Sequence, residues 1–172
     1  MKKQTGFTLV ELMVTLVVVA ILLTIGVPSF IQMVRNNRIA TEANNMISAL
    51  NIARSEALKL GRQVTVAKTG GEWEAGWRVF SDMDGDGTYD AGDGDTLIQE
   101  YAGLSNGYTL RSGANIANWI AYLPSGLARG SGGLSSDTFR LCADDQDTAT
   151  GRSLAINTVG RVRIDEGTVS CP

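Results

Sequence analysis

The sequence predicts an α+β protein in which one long N-terminal helix precedes an antiparallel, sheet-forming domain. An apolar run from Phe7 to Val27 continues into a helix-spaced stripe reaching Leu60. Beyond it come short alternating segments separated by Gly, Ser, Asn or Pro. Composition agrees, because 20 glycines and 19% charged residues suit a turn-rich, exported domain. A helix followed only by strands implies a sheet wrapped on that helix.

The first element is read from its length. Phe7 to Val27 is about 21 residues, and at about 1.5 Å per residue a helix of that length spans about 31 Å, enough to cross a bilayer core. Lys2 and Lys3 precede it and the next basic residue is Arg35, so the leader is expected to stay cytoplasmic and the remainder to be exported. A secretory signal is cut beyond its apolar stretch. Here the expected cut lies before it, at Gly6–Phe7, which leaves the hydrophobic helix on the mature protein. Glu11 is the one charged residue in the run. Burying it in a membrane costs about 3 kcal/mol or more, so such residues are usually functional. A new ammonium on Phe7 of a neighbouring subunit would neutralise Glu11 and set helix register during assembly. The plainer alternative is an anchor with a tolerated acid near its end.

The residues Gly6-Phe7-Thr8-Leu9-Val10-Glu11-Leu12, with Pro28 downstream, resemble the N-terminus of type IV pilins and type II secretion pseudopilins. That resemblance implies cleavage by a prepilin peptidase after Gly6 and N-methylation of Phe7. It also implies residence in the membrane before assembly, and helical assembly with other pilin subunits through the N-terminal helices, with Glu11 as the assembly residue.

After Pro28 an apolar stripe follows Ile31, Val34, Ile39, Ala43, Met46, Ile47, Leu50, Ala53, Ala57 and Leu58, while Arg35, Asn36, Asn37, Arg38, Glu42 and Glu56 occupy the other sides. Gly26 and Pro28 are expected to weaken or bend the helix, and Leu60-Gly61 to end it. Strands are expected near Val64–Ala67, Trp77–Phe80, Leu97–Tyr101, Tyr108–Arg111, Trp119–Leu123, Phe139–Cys142, Ser153–Ile156 and Arg161–Ile164. Several pieces in order resemble the GspH/FimT branch of pilins. They are Ala53-Arg54-Ser55-Glu56-Ala57, Trp73 with Gly76-Trp77, the Asp82–Asp93 loop, Pro124-Ser125-Gly126, Phe139-Arg140-Leu141-Cys142 and Gly160-Arg161-Val162-Arg163. The likeness implies a type IV pilin-like fold, with two β-sheets against the helix, and a minor subunit near a filament tip. The expected organisation is a leader at 1–6, a transmembrane and assembly helix at 7–27, its amphipathic continuation at 28–61, and a β-rich domain at 62–172. The expected location is a single-pass inner-membrane protein that passes into a pilus or pseudopilus.

Composition narrows the chemistry. The absence of histidine removes Ser-His-Asp and Cys-His catalysis, no phosphate-cradling glycine motif is present, and no catalytic residue or cofactor is assigned. Cys142 and Cys171 both fall in the exported part and are expected to pair, worth roughly 3–4 kcal/mol, with two free buried thiols as the alternative. Asp82-Met83-Asp84-Gly85-Asp86-Gly87, with Asp90 and Asp93, has the spacing of a calcium loop. Yet Asp93 is shorter than the usual bidentate Glu and a strand precedes the loop. An exposed Asp/Gly turn is the reading adopted, and no metal is assigned.

The formal charge of −3 argues against indiscriminate nucleic-acid binding, so any such binding needs a local patch. Alternation in Ser153–Ile164 supplies one. Pairing Leu154 with Ile164 and Ile156 with Val162 makes Thr158-Val159-Gly160 the turn and sends Arg161 and Arg163 to the solvent face beside Asn157 and Ala155. Exposed guanidinium forks match phosphate oxygens. In FimT-like minor pilins a Gly-Arg-x-Arg element resembling Gly160–Arg163 is associated with capture of DNA during natural transformation. Arg152 and Arg140 join the candidate set by proximity. The partner implied is double-stranded DNA bound without sequence preference, with a log-log salt slope of roughly −2 to −4. The competing reading is a solvated face whose arginines pair with Asp165, Glu166 or the Asp144, Asp145 and Asp147 cluster, or pack on another pilin.

Overall fold

The computed structural model describes residues 6–105, 107–143, 151–166, 169 and 171. Helix α1 runs from Leu9 to Leu60. Thr8 caps its start, since the Glu11 N–H donates to Thr8 Oγ1 at 3.2 Å in the Thr-x-x-Glu spacing of a capping box. It stops at Gly61, whose left-handed φ of 65° lets its N–H reach the Ala57 carbonyl at 3.1 Å.

The chain divides into two compact units, residues 1–37 and 38–172. The first is helix with exposed apolar side chains from Leu9 to Val34, and α1 is long and apolar enough to cross a membrane. Its hydroxyls are turned inward: Thr15 donates to Leu12 O (2.8 Å), Thr24 to Ile21 O (2.7 Å) and Ser29 to Ile25 O (3.1 Å). A hydrocarbon solvent demands such internal satisfaction. Gly26 and Pro28 do not break the helix. Ile31 and Val34, expected on the buried stripe, are exposed; they precede Arg38 and belong to the unit without a sheet.

In the second unit α1 buries Ile39, Ala43, Met46, Ala49, Leu50, Ala53 and Ala57, the i, i+3/i+4 stripe of an amphipathic helix. Leu58, next to Ala57, points outward. The strands are β1 (Val64–Lys68), β2 (Gly76–Ser81), β3 (Thr96–Ala102), β4 (Tyr108–Arg111), β5 (Trp119–Tyr122), β6 (Ala128–Gly130), β7 (Asp137–Ala143), β8 (Arg152–Ile156) and β9 (Val162–Glu166). They form a five-stranded sheet ordered β3-β2-β1-β5-β6 and a four-stranded sheet ordered β4-β7-β8-β9. Every pairing is antiparallel. Strand β6 had no counterpart among the expected elements. It spans three residues and exists through its pairing with β5, Ile120 opposite Gly130 and Tyr122 opposite Ala128.

Both sheets and α1 share one core. Trp73, which enters β2, meets Phe139 of β7 edge-to-face at 4.9 Å and donates its indole N–H to Ile116 O at 3.2 Å. Fully buried apolar side chains of this size stabilise by about 1.5–3 kcal/mol each. Cys142 of β7 is bonded to Cys171, closing a separation of 29 residues and fastening the C-terminal end to the second sheet. The pairing expected from the sequence is therefore present, and its chain-entropy contribution is roughly 3–4 kcal/mol.

Candidate functional site

The β8–β9 hairpin has the anticipated register. Leu154 faces Ile164, Ala155 faces Arg163 and Ile156 faces Val162. Leu154 and Ile156 are buried with Phe139 and Leu141 of β7, which fixes one face of the sheet as the core side. Period two then sends Arg161 and Arg163 outward, and both are exposed. The turn is closed by Asn157 N–H to Arg161 O (3.0 Å) and Gly160 N–H to Asn157 O (2.9 Å). Asn157 Oδ1 accepts from the backbone N–H groups of Val159 (3.2 Å) and Arg161 (2.8 Å).

Gly160 has two reasons to be glycine. Its φ is 76°, and a Cβ there would lie 2.7 Å from Tyr122 Cε1 and 2.8 Å from Ala128 Cβ. The hairpin tip thus rests on β5 and β6 of the other sheet. The buried Tyr122 hydroxyl donates to Gly160 O at 2.9 Å. Burial pushes the Tyr122 pKa up to about 12, with the Arg54 guanidinium pulling the other way.

The arginines separate by position. Arg161 makes no side-chain bond among the described residues. Arg163 Nη2 pairs with Asp165 Oδ1 at 2.7 Å, one of the pairings the competing reading anticipates. Arg140 is exposed and stands opposite Ser153, on the outward face. Arg152 stands opposite Leu141, in step with Leu154 and Ile156 on the core-facing side. The candidate set is corrected there, because proximity in sequence does not place Arg152 on the face of Arg161 and Arg163. Asp144, Asp145 and Asp147, the Glu166 side chain, and Lys2 and Lys3 lie outside the described residues. A groove of about 420 Å³ is lined by Ala155, Ile156, Asn157, Arg161, Val162 and Arg163.

The aspartate loop is built from its own hydrogen bonds. Asp82 is buried, and its carboxylate accepts from Gln63 Nε2 (2.8 Å), Thr65 Oγ1 (2.7 Å), Gly85 N (2.7 Å) and Gly87 N (3.1 Å). Asp95, also buried, accepts from Met83 N (2.9 Å) and Asp90 N (3.0 Å). Ligand oxygens of Asp82, Asp84 and Asp86 lie within 4.8 Å of one another, so among the described residues these three are grouped closely enough to hold a cation. Four donors already engage Asp82, which makes it the hub of a turn. Asp90, then desolvation and Asp84, Asp95 and Asp86, hold the Asp93 carboxyl above the usual range.

Gly6 and Phe7 are exposed ahead of α1, and Glu11 is exposed in its first turn. Tyr122 and Asn157 were not among the expected site residues. Tyr122 acts 38 residues away in sequence, which no local pattern announces. Asn157 carried a signal, an Asx residue directly before a turn ending in glycine.

The chain matches the family model of type II transport protein GspH over residues 42–160, and that of the prokaryotic N-terminal methylation motif over residues 1–27. The first match ends at Gly160, so Arg161 and Arg163 lie just beyond it. Two Pseudomonas aeruginosa proteins named "Fimbrial protein" are each 28% identical over 118 residues, 64% of this chain and 76% of theirs. The type IV minor pilin FimU of P. aeruginosa superposes with a TM-score of 0.60 at 19% identity, covering 75% of this chain and 89% of that one. A second crystal form gives 0.57 at 18% identity, covering 73% and 91%. At such identity the likeness speaks for the fold.

Proposed function

The chain belongs to the GspH family, and from that premise we propose that it is a minor type IV pilin that binds double-stranded DNA through Arg161 and Arg163 and assists DNA uptake in natural transformation. Its fold is that of type IV pilins, and its family is one of structural subunits of pilin or pseudopilin type. In this reading the leader is removed after Gly6 and Phe7 is methylated. Segment 7–27 holds the subunit in the inner membrane and then joins other subunits through Glu11. Segment 28–61 continues the helix into the exported domain at 62–172.

One observation carries the DNA reading: two exposed guanidinium groups on the solvent face of a hairpin whose register and tip are both fixed by packing. Rigid placement lowers the entropy lost when a phosphate is bound. Arg140 extends the same face, whereas Arg152 does not. Two or three phosphate contacts give a salt slope of about −2 to −3 and weak, sequence-tolerant affinity per subunit. The test is a gel-shift series across salt with the full chain in maltoside micelles. Parent protein is expected to retard duplex DNA, and Arg161→Gln/Arg163→Gln to lose most of that shift. Equal binding by the double variant would overturn the assignment.

The Arg163–Asp165 pair favours a second reading, a subunit that primes or caps a pilus, or a type II secretion pseudopilus, without touching DNA. Deleting the gene and scoring transformation, twitching and secretion separately distinguishes the two.

A further inference from the structure

The groove on the hairpin face holds a donor that the arginines leave unused. Asn157 Oδ1 is committed to the N–H groups of Val159 and Arg161, so the oxygen faces the turn. The amide nitrogen carries two N–H donors, and the turn uses neither of them. Asn157 is exposed, faces Arg161 at the mouth of the hairpin, and lines the same groove as Ala155 and Arg163. Ala155, which stands opposite Arg163, contributes only a methyl group beside these longer side chains.

We propose that Asn157, Arg161 and Arg163 form one three-sided seat for a phosphodiester oxyanion, with the Asn157 amide as its neutral, directional donor. The proposal rests on the DNA-binding reading of the hairpin and adds to it what selects the phosphate group. The guanidinium groups supply charge, and with it the release of counterions. The amide supplies a hydrogen bond and no charge. Removing the amide donor therefore lowers affinity while leaving the slope of affinity against salt unchanged. Removing an arginine changes both.

The full chain, ¹⁵N-labelled in maltoside micelles, is titrated with a 12-base-pair duplex and separately with inorganic phosphate. The side-chain amide pair of Asn157, identified by its loss in Asn157→Ser, is expected to shift together with the Nε–H signals of Arg161 and Arg163. Shifts with both ligands assign the seat to the phosphate group whatever carries it, and shifts with duplex alone assign it to the polymer. Arginine signals that move while the Asn157 pair stays still would overturn the seat and leave the DNA reading standing. No movement with duplex would overturn both. Serine keeps an oxygen to cap the turn, so Asn157→Ser is expected to bind duplex about two- to tenfold more weakly at an unchanged salt slope. Unaltered affinity in a folded Asn157→Ser protein would also overturn the seat.

Discussion

Replacing Gly160 with alanine measures how firmly the hairpin tip is held. At a φ of 76° the new residue is strained by about 1–2 kcal/mol on backbone grounds alone. Its Cβ would also stand 2.7 Å from Tyr122 Cε1 and 2.8 Å from Ala128 Cβ. Tyr122 is fully buried and hydrogen-bonded to the same residue, so relief requires the tip to lift or the ring to leave its place. Overpacking of this kind adds about 1–3 kcal/mol, for a total of about 2–5 kcal/mol. Gly133→Ala is the matched control, because Gly133 has a φ of 94° and nothing within 4 Å of a built Cβ. It carries the backbone cost without the collision. Urea denaturation of both variants is expected to show Gly160→Ala the less stable by about 1–3 kcal/mol. In thermal melts the gap corresponds to roughly 3–12 °C. Equal losses in the two variants would refute the argument that the tip is wedged against β5 and β6.

Two further perturbations act on the same hairpin. Asp165→Asn releases Arg163 from its ion pair and frees the guanidinium for phosphate, so duplex binding should tighten about two- to fivefold. That gain should vanish in an Arg163→Gln background; a gain that persists there would mark a general charge effect instead of competition for Arg163. Tyr122→Phe leaves the Gly160 carbonyl without its donor and should cost about 1–3 kcal/mol near neutral pH. Its pH dependence has a definite sign. Unfolded tyrosine ionises near 10.0 while folded Tyr122 stays neutral to about 12. This contribution is therefore complete below pH 10 and declines by about 2–3 kcal/mol between pH 10 and 12. The parent's urea midpoint should fall through that interval more steeply than that of Tyr122→Phe, and parallel profiles would contradict the burial argument.

Much of this architecture is legible wherever a residue's role follows from period and spacing. Leu154, Ile156, Val162 and Ile164 alternate, and period two fixes their register and the outward placement of Arg161 and Arg163. The same alternation assigns Arg152 to the inner side, so its inclusion came from adjacency in sequence and not from the pattern. β6 was illegible because three residues show no period and depend on a partner strand. Asp82 reads as an exposed turn residue, yet Thr65 and Gln63, distant in sequence, turn it into a buried hub. Ile31 and Val34 show the converse limit, since a helical stripe says which side is apolar and not where its cover ends.

The inward-folded hydroxyls of Thr15, Thr24 and Ser29 mute most of the chemistry α1 can offer a neighbour between Thr8 and Ser29. A helix lying alongside finds methyl and methylene shape along that flank, and one carboxylate, Glu11, with hydrogen-bonding capacity to spare. In the assembly proposed above, sliding the pair by a turn would cost little in van der Waals contact, whereas displacing that single anion from the proposed counter-charge on Phe7 would be expensive. Under that proposal, alignment between neighbouring helices would be a one-coordinate problem, settled at the end of the rod nearest Phe7.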